Sequence, residues 1–397
     1  MAALPRFTPR QSVVASFEAY TPKPLPAGFS GDVEMDEADP HEYVFELARA
    51  ADGSAVAAAL SSRCIATFDG PTMRATGAPL AGHAGTLTDV AFDRTDPALV
   101  LSSSEDGTVR GWDLRSRREV LRIGHDEGVL NLSVGCGGSM LATASGVAAH
   151  FFDLRTRTKL GCYADNHTDL VTQVVFNPMN ETEVATGSED GLVCVYDCRQ
   201  ASAETSLQCV LNGDCAVRRV GFFAPGGEGL FVLTGSETLG LWHKATAQCL
   251  NPGTAGNVRA SVPGVNYLVD CRFEACSGKL HLLAGDYEGG LTLCEASDAA
   301  VAPVATLASG HSAMVRACLW GDGGGGAGPL ASLVTGGEDT RLCAWSFAET
   351  APVAAAGGAV GASAVAVQNP QGRKKHDKEA AGPVRKHRAD RDAAAPY

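Results

Sequence analysis

Residues 99–113 read LVLSSSEDGTVRGWD. A short run of small and apolar residues ends at Glu-Asp-Gly, and a second run follows and ends in an aromatic. Residues 183–197, EVATGSEDGLVCVYD, and 332–346, SLVTGGEDTRLCAWS, repeat that plan. Each predicts a strand, a tight turn carrying Glu-Asp, and a second strand. Weaker copies fill the gaps: AAALSSRCIATFD at 57–69, LATASGVAAHFFD at 141–153, VLTGSETLGLW at 232–242 and LLAGDYEGGLTLCE at 282–295. The repeats end at Phe68, Trp112, Phe152, Tyr196, Trp242, Cys294 and Trp345, with spacings of 44, 40, 44, 46, 52 and 51. Seven units near the roughly 40–45 residues of one four-stranded blade predict an all-β, seven-bladed propeller. The abundance of glycine (46 residues) and the low charged fraction (19%) suit many short strands joined by tight turns.

A second mark precedes four of the units: Gly82-His83, Gly124-His125, Asn166-His167 and Gly310-His311. Each stands before a strand of alternating apolar residues, such as LTDVAF (87–92), LVTQVVF (170–176) and MVRACLW (314–320). Period-two alternation marks half-buried strands. The units ending at Trp242 and Cys294 lack the Gly-His mark.

These Gly-His and Trp-Asp pairs resemble the WD-repeat family over roughly residues 40–347. The resemblance implies a hydrogen-bonded network in each well-formed blade, joining a His, a turn Asp and the aromatic. On that likeness His83, Asp106 and Trp112 form one set. His167, Asp190 and Tyr196 form a second, and His311, Asp339 and Trp345 a third. A buried Asp needs such a partner.

Outside the repeats, residues 1–40 are expected to hold an N-terminal segment, 41–350 the propeller and 351–397 a disordered tail, Ala/Gly-rich and then basic. An open ring would leave an exposed strand edge. SVVASF at 12–17 is the favoured closing strand, with Ala351–Val353 or the run 363–367 as alternatives. Residues 21–40 read as a loop, and GDGGGGAG at 321–328 as a flexible surface loop within the last blade.

The net charge of -13 argues against broad nucleic-acid binding by the body. The tail differs: residues 371–392 hold eight Lys/Arg against four Asp/Glu. The thirteen Cys show no paired framework and no zinc spacing, so they read as small buried hydrophobes in a reducing compartment, and no metal is expected. Neither a secretory signal nor a membrane span is evident. The chain is expected to be soluble and intracellular, in nucleus and/or cytoplasm.

Ser103, Asp106 and His83 have the residue types of a catalytic triad, but the set recurs from blade to blade, as a structural network does and a catalytic site does not. No nucleophile elbow, metalloprotease helix or nucleotide loop stands out. A non-enzyme without cofactor, binding proteins or peptides, is therefore expected. Functional interest falls on Trp112-Asp113-Leu114-Arg115, Phe152-Asp153-Leu154-Arg155 and Tyr196-Asp197-Cys198-Arg199. In WD-repeat substrate receptors of cullin-4 ubiquitin ligases, such an Arg contacts the ligase's adaptor. The resemblance therefore implies an adaptor contact through Arg115, Arg155 and Arg199. A local turn with an internal ion pair explains the motif equally simply. In the tail, Arg373-Lys374-Lys375 and Arg385-Lys386-His387-Arg388 have the spacing of a bipartite nuclear-targeting signal. RNA contact, as in a nuclear or nucleolar ribosome-assembly factor, and simple solvation are the other readings of that tail.

Overall fold

The computed structural model describes residues 7–16, 42–200, 202–252, 256–322 and 330–349. They form seven four-stranded antiparallel sheets. The innermost strands, each beginning its blade, are Val44–Arg49, Leu87–Phe92, Val129–Gly135, Val171–Phe176, Val217–Phe223, Tyr267–Glu274 and Val315–Asp322. Each packs against the innermost strand of the next blade, and the seventh returns to the first. The chain is thus a closed seven-bladed propeller. All seven sequence-derived repeat ends, from Phe68 to Trp345, fall in the third strand of a blade.

Blades 1 to 6 are contiguous in sequence. Blade 7 takes its outer strand from the other end of the chain: Phe7–Ser16 pairs antiparallel with Arg341–Glu349, from Phe7 opposite Glu349 to Ser16 opposite Arg341. This strand starts five residues before the stretch expected from SVVASF, and Phe17 lies outside the described residues. It takes in Pro9, which lacks an N–H for the ladder. An outermost strand tolerates that loss. The loop expected at 21–40, most of the glycine run after Asp322, and everything beyond Glu349 also lie outside the described residues.

The hydrophobic interior is divided. Seven clusters of buried residues each bridge two neighbouring blades. Between blades 1 and 2, for example, Ala57, Ala59 and Ile65 meet Val90, Phe92 and Trp112. Middle strands are therefore covered on both faces, which is why Ala55–Leu60 reads AVAAAL, nearly all apolar and not alternating. Small residues there let neighbouring sheets approach closely.

The Glu-Asp-Gly turns need their glycine. Gly107 and Gly191 have φ of 75° and 83°, a region open mainly to glycine. In blade 7 the same place is held by Thr340 at φ 64°.

Candidate functional site

Antiparallel order fixes which loops share a face. Innermost strands begin at one face, called the mouth face here. It also carries the turns between second and third strands. The opposite, far face carries the loops between first and second, and third and fourth, strands.

At the mouth face the three expected networks form. His83 Nδ1 lies 3.0 Å from Asp106 Oδ2, His167 Nδ1 3.2 Å from Asp190 Oδ2, and His311 Nδ1 3.0 Å from Asp339 Oδ1. The aromatic makes no hydrogen bond to this pair, although Trp112 packs edge-on against His83 with ring centroids 6.2 Å apart. A hydroxyl stands between: His83 Nε2 is 2.8 Å from Ser102 Oγ, which also accepts the Trp112 indole N–H at 2.9 Å. Thr335 does the same for His311 and Trp345, both at 2.8 Å. In blade 4, Thr186 meets His167 at 2.7 Å, and the buried Tyr196 takes the place of the tryptophan. The serine considered for a triad, Ser103, bonds Thr88 instead. Each Asp also accepts backbone N–H groups, from Ala84 and Thr108 at Asp106, for example, both at 2.9 Å. Burial alone would raise the Asp106 carboxyl, but hydrogen bonds from His83, Thr108 and Ala84 outweigh it and hold the group well below the usual carboxylate range. These atoms are consumed in holding the turn, so the arrangement has no free nucleophile or base.

Blade 3 keeps the imidazole and loses the carboxylate. Its turn is the shorter Gly146-Val147, so His125 Nδ1 is buried without a hydrogen-bond partner while Nε2 meets Thr143 at 2.9 Å. His150 packs edge-on against it, with ring centroids 5.3 Å apart.

The channel is built on a repeated irregularity. All seven innermost strands carry a register shift near their start. The residue just after each shift is Glu46, Asp89, Asn131, Gln173, Arg219, Asp270 or Ala317. Six of these seven equivalent positions are polar, and they stitch the ring. Asp89 accepts from Asn131 Nδ2 at 2.6 Å and from Leu132 N–H at 3.0 Å. Asn131 Oδ1 accepts Val174 N–H at 2.9 Å, and Gln173 Oε1 accepts Val220 N–H at 2.5 Å. Asp270 Oδ2 accepts the Trp320 indole N–H at 2.8 Å. Arg219 reaches across from blade 5 to Glu46 of blade 1, at 2.7 Å. Burial, with the neighbouring Glu46 carboxylate, pushes Asp89 up to about 7. Glu46 holds the Arg219 guanidinium charged, against the opposing effect of burial. Above this ring the mouth opens as a cavity of about 600 Å³, lined by Phe45, Thr88, Arg218, Tyr287 and Arg316 among others. That volume suits a peptide or side chain entering from solvent.

Arg115, Arg155 and Arg199 occupy equivalent far-face loops of blades 2, 3 and 4. Their engagement differs. Arg115 forks onto Asp96, with NH2–Oδ1 at 2.8 Å and NH1–Oδ2 at 3.1 Å. Arg199 folds onto Asp197, with Nε–Oδ1 at 2.9 Å and NH2–Oδ2 at 2.6 Å. Arg155 is 82% exposed and approaches Asp153 only to 4.0 Å. The residues expected from the sequence to act in nuclear targeting, Arg373, Lys374, Lys375, Arg385, Lys386 and Arg388, lie outside the described residues.

Comparison with known proteins places this geometry. The family described as "WD domain, G-beta repeat" matches residues 74–113 and 158–197. WD repeat-containing protein GTS1 of Arabidopsis thaliana is 30% identical over 335 residues, covering 78% of this chain and 82% of that protein. The chain is a WD-repeat protein. The phrases HAGTLTDVAFDRTDPALVLSSSEDGTVRGWDLR and HTDLVTQVVFNPMNETEVATGSEDGLVCVYD further resemble WD repeat-containing protein 89. The WD repeat-containing protein 89 homolog of Dictyostelium discoideum is 25% identical over 272 residues, 67% of this chain and 73% of that protein. Ribosome biogenesis protein YTM1 of Scheffersomyces stipitis is 30% identical over 125 residues, 30% of this chain and 27% of that protein. WD-repeat propellers are in general non-enzymatic protein-interaction scaffolds. Among the described residues no group of three His, Cys, Asp or Glu is placed to hold a metal, and no helix is long and apolar enough to cross a membrane.

In this WD-repeat protein two sets of residues escaped the sequence reading. The bridging hydroxyls had a signal: Ser102, Thr186 and Thr335 each stand four residues before the turn Asp. The channel ring had a weaker one, a polar residue two positions after the apolar start of most innermost strands.

The buried imidazoles make stability pH-dependent. Burial lowers His125 to about 4 and also lowers His150, His167 and His281. An unfolded chain would take up these protons near pH 6.5, so the unfolded state binds more protons below that value. The stabilising contribution is therefore full above pH 6.5 and is lost as pH falls toward 4. Asp89, raised to about 7, and Glu42, also raised by burial, act in the opposite sense but are two groups against four. Thermal melts from pH 8 to pH 4.5 are expected to show a falling midpoint, with a shallower fall in His125→Asn. A midpoint that stays level or rises between pH 7 and pH 5 contradicts this account.

Proposed function

We propose that this scaffold is a substrate receptor for a cullin-4 ubiquitin ligase, docking on the ligase's adaptor through its far face and leaving the channel mouth for the captured protein. The observation that carries the reading is Arg155, whose guanidinium stands in solvent and is held only loosely, at 4.0 Å, by Asp153, between the equivalent loops of Arg115 and Arg199. A planar donor fork held at the end of a rigid strand suits a carboxylate on a partner, and such arginines are frequent interface anchors. Arg115 and Arg199 already have carboxylates, so they would have to exchange partners on docking. Their contribution is correspondingly smaller.

Affinity capture with the purified adaptor tests this. Arg155→Ala is expected to lower recovery about 30-fold, the effect of losing a hot-spot side chain worth about 2 kcal/mol. Arg115→Ala and Arg199→Ala should each cost a few-fold. Recovery unchanged in Arg155→Ala and in Arg115→Ala removes the adaptor contact.

A second reading is a nuclear or nucleolar ribosome-assembly factor that uses the basic tail on RNA. It draws on the likeness to a protein named for ribosome biogenesis and on the eight Lys/Arg of residues 371–392. In the same capture, salt-sensitive recovery of RNA that disappears on deleting 371–392 would favour it. Nuclear and cytoplasmic placement follow from these readings as proposals, with Arg373–Lys375 and Arg385–Arg388 as the targeting residues.

A further inference from the structure

Blade 5 has lost its network and kept the space. Its strands are Val217–Phe223, Gly229–Thr234, Leu239–His243 and the two-residue Gln248–Cys249. Strand pairing sets Trp242 opposite Leu230, as Trp112 stands opposite Val100. The hydroxyl position two residues on, Ser102 in blade 2, is Val232 here. The imidazole position, four residues before the first innermost-strand residue, is Gly213. The turn Asp is replaced by Ser236. The backbone has not closed over the loss. Gly213 N–H still bonds Gly191 O at 2.8 Å, as His125 N–H bonds Gly107 O at 2.8 Å in blade 3.

What remains is a cavity of about 270 Å³. Gly213, Val232, Ser236 and Trp242 all line it, so the four positions that form the network elsewhere form a wall here. Trp242 Nε1 is buried and has no hydrogen-bond partner. The equivalent nitrogens of Trp112 and Trp345 have theirs at 2.9 and 2.8 Å. An unmade buried hydrogen bond of this kind is costly and calls for an acceptor. Beyond the short outer strand, Leu250, Asn251 and Asn257 continue to bond along the third strand, and Asn251 and Gly256 wall the cavity on that side. The cavity opens at the mouth face, where Thr234 lines both it and the channel mouth.

We propose that this cavity is a slot for the imidazole of a histidine presented by a bound partner. Blades 2, 4 and 7 each seat an imidazole at this place, beside a hydroxyl and an aromatic. Blade 5 offers the same shape without its own ring. The volume is below that of a pocket for a drug-sized ligand and suits one side chain. Ser236 replaces the turn carboxylate, Thr234 Oγ1 is already bonded to Ser236 at 2.9 Å and Thr238 at 2.6 Å, and the carboxylate that does line the cavity, Asp214, is exposed, so solvent screens its pull on a proton. The incoming imidazole is therefore neutral, accepting the Trp242 N–H at one nitrogen. The slot deepens the scaffold reading by naming a side chain that a partner supplies.

Imidazole itself is the probe. The full chain has four tryptophans, and Trp242→Phe assigns the Trp242 indole N–H resonance. Titration at pH 8, where imidazole is neutral, is expected to move that resonance, with half-saturation on the order of 1 mM. Val232→Thr restores the hydroxyl and is expected to tighten binding about fivefold, the worth of one net hydrogen bond. Gly213→His fills the slot from within and is expected to abolish the response. A Trp242 resonance unmoved at about 50 mM imidazole, or a response surviving intact in Gly213→His, overturns the proposal. If Gly213→His fails to fold, Val232→Thr decides: binding no tighter than in the parent overturns it too. No partner enters this titration, so its failure removes the slot and leaves the adaptor reading standing.

Discussion

Asp106→Ala is expected to destabilise the propeller by about 3 kcal/mol, among the largest losses available from one polar side chain outside the channel. The carboxylate is nearly buried and serves five donors at once: His83, the Ala84 and Thr108 N–H groups, the Thr108 hydroxyl at 2.6 Å and, at 3.5 Å, the Arg110 guanidinium. Alanine leaves the imidazole and two backbone N–H groups without their acceptor, and the desolvation already spent on them is not recovered. Asp106→Asn keeps one acceptor oxygen and should lose roughly half as much. The comparison that isolates the mechanism is Ser236→Ala, at the equivalent turn of blade 5. That residue is exposed and supports no imidazole, so a change within about 0.5 kcal/mol is expected. Urea denaturation of the three variants measures the ranking. Equal stability of Asp106→Ala and Ser236→Ala would show that the network carries little of the fold.

The second large effect lies in the channel. Arg219→Met is expected to cost about 3 kcal/mol or more, because it leaves Glu46 without its cation and Asp89 and Asp270 nearby without a compensating charge. The pair spans the ring from blade 1 to blade 5, and both side chains are largely buried, at 25% and 17% exposure. The double variant Arg219→Met with Glu46→Leu should regain most of that loss and lie within about 1 kcal/mol of the parent. A desolvated ion pair exchanged whole for apolar side chains is often close to neutral. A double-mutant cycle by urea denaturation reads the coupling. Additive losses would mean that the two charges do not stabilise one another.

Much of the ring was legible because it repeats. A turn Asp and a terminal aromatic recur at blade spacing, and seven imperfect copies reinforce one another where one would not. The missing parts are those that repetition does not announce. Asp96, the partner of Arg115, stands nineteen residues upstream in a different loop, so the Trp-Asp-x-Arg motif could not show that its arginine is already engaged. Arg219 meets Glu46 only because the ring closes, across a separation of 173 residues. The loss of the blade 5 network was visible as a missing Gly-His mark. That the space survives its side chains depends on Gly213 keeping its backbone bond, which no residue pattern encodes. The closing strand was read too short because Pro9 and Arg10 interrupt the apolar alternation, although an outermost strand needs neither apolar residues on both faces nor every N–H.

The pairing of Phe7–Ser16 with Arg341–Glu349 also sets a timetable. A chain made from its N-terminus exposes that first strand long before its partner exists. Blades 1 to 6 can each complete four strands as they emerge, but blade 7 cannot. Until the last strand leaves the ribosome, the apolar flanks that blades 1 and 6 turn toward blade 7 have nothing to cover them. The nascent protein is therefore most vulnerable to misassociation just before residue 349 emerges from the ribosome, and the joining of these two distant segments ends that interval.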